Sequence, residues 1–148
     1  MQKFILVAGT MLLLSGIASA QVNSSEVKWG PAPAVLPAGA KMAVLSGDPS
    51  KQGVYVIRLK LPAGYLIPAH HHPADEYVTV ISGEFHLGMG DKLDKKRSAT
   101  LHPGGFAEAP AGMNHFAWTS KPSVVQVNAE GPFVMVYVNP ADDPSTKQ

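Results

Sequence analysis

The chain has 148 residues, 45% of them hydrophobic and 16% charged, with 12 basic against 11 acidic side chains and no cysteine. A balance this close to neutral excludes nucleic acid and an anionic membrane surface as expected partners, since both are held by a basic excess. The missing cysteines exclude disulfides and thiolate chemistry, so stability must come from core packing and any metal must sit on nitrogen and oxygen.

The first predicted element is an export signal over residues 1–20. Lys3 is its only charge, an apolar stretch runs from Phe4 to Leu14, and Ala18-Ser19-Ala20 has the small-x-small form of a cleavage site. The apolar stretch is too short for a membrane span, and nothing else in the chain approaches the roughly 20 residues required. The mature protein is therefore expected to begin near Gln21, to be periplasmic or secreted, and to have no membrane attachment. With Lys3 removed, its basic and acidic side chains are equal in number. The remainder suits one domain.

Residues 21–40 read as an extended arm, because the run from Gly30 to Gly39 carries prolines that each fix φ and disfavour helix in the residue before. Short strands are predicted next, over 41–46, 54–61, 65–69, 77–81, 85–89, 99–101, 106–109, 115–119, 124–129 and 133–138. Turn residues separate them, among them Pro62-Ala63-Gly64, Ser82-Gly83, Pro103-Gly104-Gly105 and Pro110-Ala111-Gly112. Strands this short, evenly spaced and without a 3.6-residue apolar period, indicate an all-β sandwich or barrel over residues 41–139. The charge run from Asp91 to Arg97 reads as a solvated hairpin loop. Residues 140–148, polar and broken by proline, read as a loose tail.

The chemistry concentrates in His70, His71, His72, Glu76 and His115. Alternate side chains on a strand share a face, so His70 and His72 project together and His71 points away. Pro73-Ala74-Asp75 can turn the chain so that Glu76 faces the same interior. Pro110-Ala111-Gly112 makes a comparable turn before His115 opens the next strand. Three imidazoles and a carboxylate form a ligand set suited to one divalent transition metal ion, Fe, Mn, Ni, Co or Zn. A carboxylate facing a barrel interior is costly without a cation to compensate it, which makes Glu76 the most telling member. His86 and His102 read as structural. Glu108 is a candidate base near the barrel mouth. By alternation from His115, Ala117 and Thr119 face inward while Phe116 and Trp118 face out, to be covered by the proline arm or by a second subunit.

These residues resemble the cupins. The first cupin motif, G-x5-H-x-H-x3-E-x6-G, is met by Gly64, His70, His72, Glu76 and Gly83. The second, G-x5-P-x-G-x2-H-x3-N, is met by Gly104, Pro110, Gly112 and His115, with Thr119 in place of the final asparagine. The resemblance implies a double-stranded β-helix, often a homodimer, with metal held between the two sheets by His70, His72, Glu76 and His115. The Thr119 departure bears on pocket polarity rather than on metal ligation. Read this way, the chain is an exported metal-dependent oxygenase of the quercetin-dioxygenase type, using Fe(II) or Mn(II) on a small oxygen-rich organic substrate. Two alternatives stand beside it: a redox-neutral isomerase or lyase, and a non-catalytic binding or sensing module with a closed tetrahedral zinc.

Overall fold

The computed structural model describes residues 21–147, so the export signal predicted over residues 1–20 lies outside the described residues. Two antiparallel sheets face each other. The first contains, in spatial order, β1 (Gly30–Pro31), β2 (Lys41–Ser46), β3 (Gly53–Leu61), β10 (Ser123–Gly131), β5 (Glu76–Ser82) and β8 (Phe106–Ala109). The second contains β11 (Val136–Tyr137), β4 (Leu66–His71), β9 (His115–Thr119), β6 (Phe85–Met89) and β7 (Ser98–Leu101). Early strands lie beside late ones in both sheets, β3 beside β10 and β4 beside β9, which is the double-stranded β-helix that the cupin resemblance implies.

Strict alternation builds the core. In β3, Tyr55, Ile57, Leu59 and Leu61 face inward while Val54, Arg58 and Lys60 face out; in β10, Val125, Val127 and Ala129 face inward. Each fully buried aliphatic side chain here contributes roughly 1.5–3 kcal/mol. Hairpin reversals fix the register. Gly83 adopts φ of 84°, and a Cβ there would stand 2.3 Å from the Pro122 carbonyl oxygen, so the turn between β5 and β6 admits only glycine.

Two elements depart from expectation. The last strand is confined to Val136–Tyr137, because residues 132–135 leave the sheet and cross the barrel. There Phe133 N donates to Pro49 O at 2.7 Å, and Met135 is buried in the core. The proline arm forms β1 against β2 and then folds Leu36 into the core, where it is 5% exposed. Residues 140–147 form two short 3-10 turns, the first capped by Asn139 Oδ1 accepting from Ala141 N at 3.1 Å.

Phe116 and Trp118 do face outward, and within the chain their cover comes not from the arm but from the loop that follows β6. The loop from Asp91 to Arg97 folds back over the sheet, and Arg97 O and the Phe116 ring both close on Gly88, where a Cβ would meet the ring at 2.2 Å. Trp118 is sandwiched between His86, stacked at 3.6 Å between ring centroids, and Lys95 Nζ at 4.6 Å from its ring. The apolar sheet face explains why the charge run folds back instead of standing free: the Lys95 stem lies over Trp118 while its charge remains in water.

Candidate metal centre

One irregularity in β4 aims the site. Leu66 to Ile67 pairs with Trp118 to Ala117, but His70 pairs with His115, so the register shifts by one residue between Ile67 and His70. This bulge at Pro68 and Ala69 changes the inward phase from Ile67 to His70, and hence to His72. Proline, which cannot donate to a ladder, is suited to that position.

The structure brings His70, His72 and His115 together with their ligand atoms within 4.8 Å of one another, all three buried. From the opposite sheet, Glu76 places Oε1 3.6 Å from His72 Nε2 and Oε2 3.8 Å from His115 Nε2. These separations exceed hydrogen-bond reach. Glu76 is itself buried, at 9% exposure.

Backbone carbonyls fix the tautomers. His70 Nδ1 lies 2.7 Å from Pro68 O, His72 Nδ1 2.6 Å from Val134 O, and His115 Nδ1 3.0 Å from Met113 O. A carbonyl only accepts, so each Nδ1 carries the proton and each Nε2 keeps its lone pair. The Nε2 atoms of His72 and His115 are buried with no hydrogen-bond partner among the described residues. Buried polar atoms are rarely left so, and a shared cation would satisfy both while compensating the carboxylate. The three buried histidines can hold a metal ion.

Two further bonds clasp the ligand-bearing turns. Asp75 Oδ1 accepts from Ala111 N at 2.8 Å, and Gly112 N donates to His72 O at 2.8 Å. Sequence reasoning used Asp75 only as a turn residue and missed this role; its place between Glu76 and the proline turn was the available signal. His71 points away as expected, its Nδ1 3.1 Å from Asn114 Oδ1, and Asn114 Nδ2 donates to Asp91 Oδ1 at 2.7 Å. His86 and His102 flank Glu84 on the outside of the barrel, at 3.3 and 3.6 Å. The candidate base Glu108 is corrected: it lies exposed on the outer face of β8, opposite Tyr77, with no part in the site.

Thr119 lines no part of the metal cavity. Its Oγ1 accepts from Tyr65 N at 3.1 Å and donates to Pro62 O at 2.6 Å, pinning the turn between β3 and β4. Thr119→Val is therefore expected to destabilise the fold by about 1–3 kcal/mol, since the buried Tyr65 amide and the part-buried Pro62 carbonyl lose their partner, with metal content unchanged. Urea unfolding alongside metal analysis checks both halves.

Burial, followed by the neighbouring imidazoles, pushes His70 down to about 3; burial likewise lowers His72 and His115. Burial raises the Glu76 carboxyl. Below the ordinary histidine value of 6.5 the unfolded chain thus binds protons that the folded imidazoles refuse, so this contribution is complete above 6.5 and is lost as pH falls toward 3. Glu76 acts oppositely, favouring the fold at low pH and losing that contribution as pH rises through its raised value. With three imidazoles against one carboxyl, the urea midpoint of metal-free protein is expected to fall between pH 7 and pH 4. A flat midpoint would contradict the burial of neutral imidazoles.

Comparison with known proteins supports the same architecture. Residues 19–136 match the family described as "Domain of unknown function (DUF4437)". Germin-like protein subfamily 3 member 3 of Arabidopsis thaliana is 34% identical over 107 residues, 72% of this chain and 47% of its own length, so the chain spans about half of that curated relative. Among solved structures, the polyketide cyclase RemF of Streptomyces resistomycificus superposes with TM-score 0.68 at 18% identity, covering 86% of this chain and 92% of that one. A putative acetylacetone dioxygenase of Methylibium petroleiphilum superposes with TM-score 0.64 at 21% identity, covering 90% of each chain. The match over residues 19–136 shows that the chain belongs to the DUF4437 family, and the interleaved sheets with the histidine cluster between them have the fold of an RmlC-like cupin of Shewanella frigidimarina, which superposes with TM-score 0.58 at 15% identity over 76% of this chain and 91% of that one.

Proposed function

We propose that this chain is an exported, metal-dependent cupin enzyme in which His70, His72, Glu76 and His115 hold one divalent ion, Fe(II) or Mn(II), for an oxygenase reaction on a small oxygen-rich substrate. The observation that carries this reading is the pair of orphaned, buried Nε2 atoms facing the Glu76 carboxylate from across the barrel. An ion bound there supplies Lewis acidity and, as Fe(II) or Mn(II), a redox partner for dioxygen, with positions left over beyond four protein ligands if it is six-coordinate.

The chain's own groups do the rest. Pro68 O, Val134 O and Met113 O hold the imidazoles in the tautomer that presents Nε2 inward. Glu76, whose carboxyl burial pushes up, would supply negative charge that offsets the ion's, and a cation beside it would favour the charged form. Leu59, Val78, Val125 and Val127 wall the cavity with apolar surface and keep bulk water out, which strengthens electrostatic interactions inside.

Elemental analysis of mature protein taken from its native compartment, followed by an oxygen-electrode screen, tests the proposal. About one Fe or Mn per chain with substrate-dependent oxygen uptake is expected. Turnover without oxygen uptake would move the chain to the redox-neutral isomerases and lyases. A four-coordinate zinc with no open position would make it a binding module.

A further inference from the structure

The space left beside the four site residues measures about 30 Å³. That volume admits one or two waters, whereas a benzene-sized molecule needs roughly 150 Å³. An organic substrate therefore cannot approach an ion here unless part of the wall moves aside. Most of the wall is sheet, and moving it would break ladder hydrogen bonds. The crossing segment at Phe133 to Met135 is also poorly suited to move, because Val134 O holds His72 and Phe133 N is bonded to Pro49 O.

Leu36 is the exception. It lines the cavity at 5% exposure, yet it sits in the proline arm beyond the two residues that pair with β2. A single side-chain bond holds the carbonyl on either side of it: the Tyr137 hydroxyl donates to Val35 O at 2.7 Å, and the Tyr65 hydroxyl donates to Pro37 O. Its own amide is satisfied locally by Pro33 O at 2.9 Å, so the turn carrying it can swing as a unit. Apart from the four site residues, the cavity lining is apolar throughout, with Leu61, Ile67 and Leu87 among it. No charged group waits there for a substrate tail.

We propose that Leu36 is a displaceable plug, latched by Tyr65 and Tyr137, and that the substrate is a compact molecule with oxygen donors for the ion and an apolar body without a charged tail, which takes the place of Leu36; acetylacetone is a small probe of that class. This inference rests on the metal reading above. Mature protein loaded with cobalt(II) alone, then mixed with acetylacetone, reports ligand arrival through the visible absorption of the ion. Two hydrogen bonds of ordinary net strength correspond to about a 30-fold change in the open fraction, so the double variant Tyr65→Phe, Tyr137→Phe should bind acetylacetone about 30-fold faster than wild type. Leu36→Ala should bind it roughly tenfold more tightly, since no side chain must be expelled. Should Leu36→Ala fail to fold, the double variant still decides, because phenylalanine preserves the packing of both rings.

Equal rates and affinities in all three proteins, each holding one cobalt, would overturn the plug while leaving the metal site standing. A ligand-bound crystal structure with Leu36 unmoved would do the same. Failure of every variant to bind the diketone would overturn the substrate class and the plug together. Wild type that takes up no cobalt would bring down the metal reading, and the plug with it.

Discussion

Replacing His72 by alanine is expected to lower metal affinity by roughly a hundredfold or more and to leave the β-rich circular dichroism intact. Loss of a group that merely orients a ligand already costs 10–100-fold in comparable sites, and loss of a ligand itself exceeds that. His72 is the informative choice because its Nε2 is orphaned and its ring is held by Val134 O alone, outside any strand ladder. Its neighbour provides the control: His71→Ala, whose ring bonds to Asn114 away from the cluster, should retain metal. Metal analysis after dialysis reads both variants, and undiminished metal in His72→Ala would remove the site from the account.

The second large effect is on stability. Phe116→Ala should destabilise the fold by about 3–5 kcal/mol, the range for deleting a fully buried aromatic. Phe116 is 1% exposed, wedged between Gly88 and the loop from Asp91 to Arg97, so the loop cannot collapse onto the space without leaving Trp118 and Lys95 unstacked. Because its cover comes from the same chain, the loss should be independent of protein concentration. A urea midpoint that moved with dilution would instead indicate that a second subunit seals this face.

Much of the fold was legible in the sequence. The strands over 41–46, 85–89, 106–109 and 115–119 fall where apolar alternation and turn residues put them, because such spans depend on local pattern and hairpin chemistry. His70, His72 and His115 could be read from the spacing of two motifs. What could not be read are features set by contacts across the barrel. Alternation from Ile67 alone would have aimed His71 inward; only the bulge, a property of pairing with β9, reverses that. The tautomer-fixing carbonyls of Pro68, Val134 and Met113 belong to the backbone and leave no mark on residue identity. Thr119 looked like a defect in a motif, yet a hydroxyl is enough to pin the turn at Pro62. Leu36 carried no signal at all, since nothing in a proline-rich run says which residue will be folded inside.

The pair of bonds that joins Asp75 to Ala111 and Gly112 to His72 bears on the order of assembly. Both are made by protein atoms alone, so the jaws of the chelate are drawn together by folding and do not wait for the guest. Small domains whose ligands gather only around zinc unravel when it is withdrawn. Here the frame is set before any ion arrives, and an ion held by these residues would be discriminated by the fixed spacing: one whose preferred bond lengths disagreed with it would have to strain the frame instead of reshaping it.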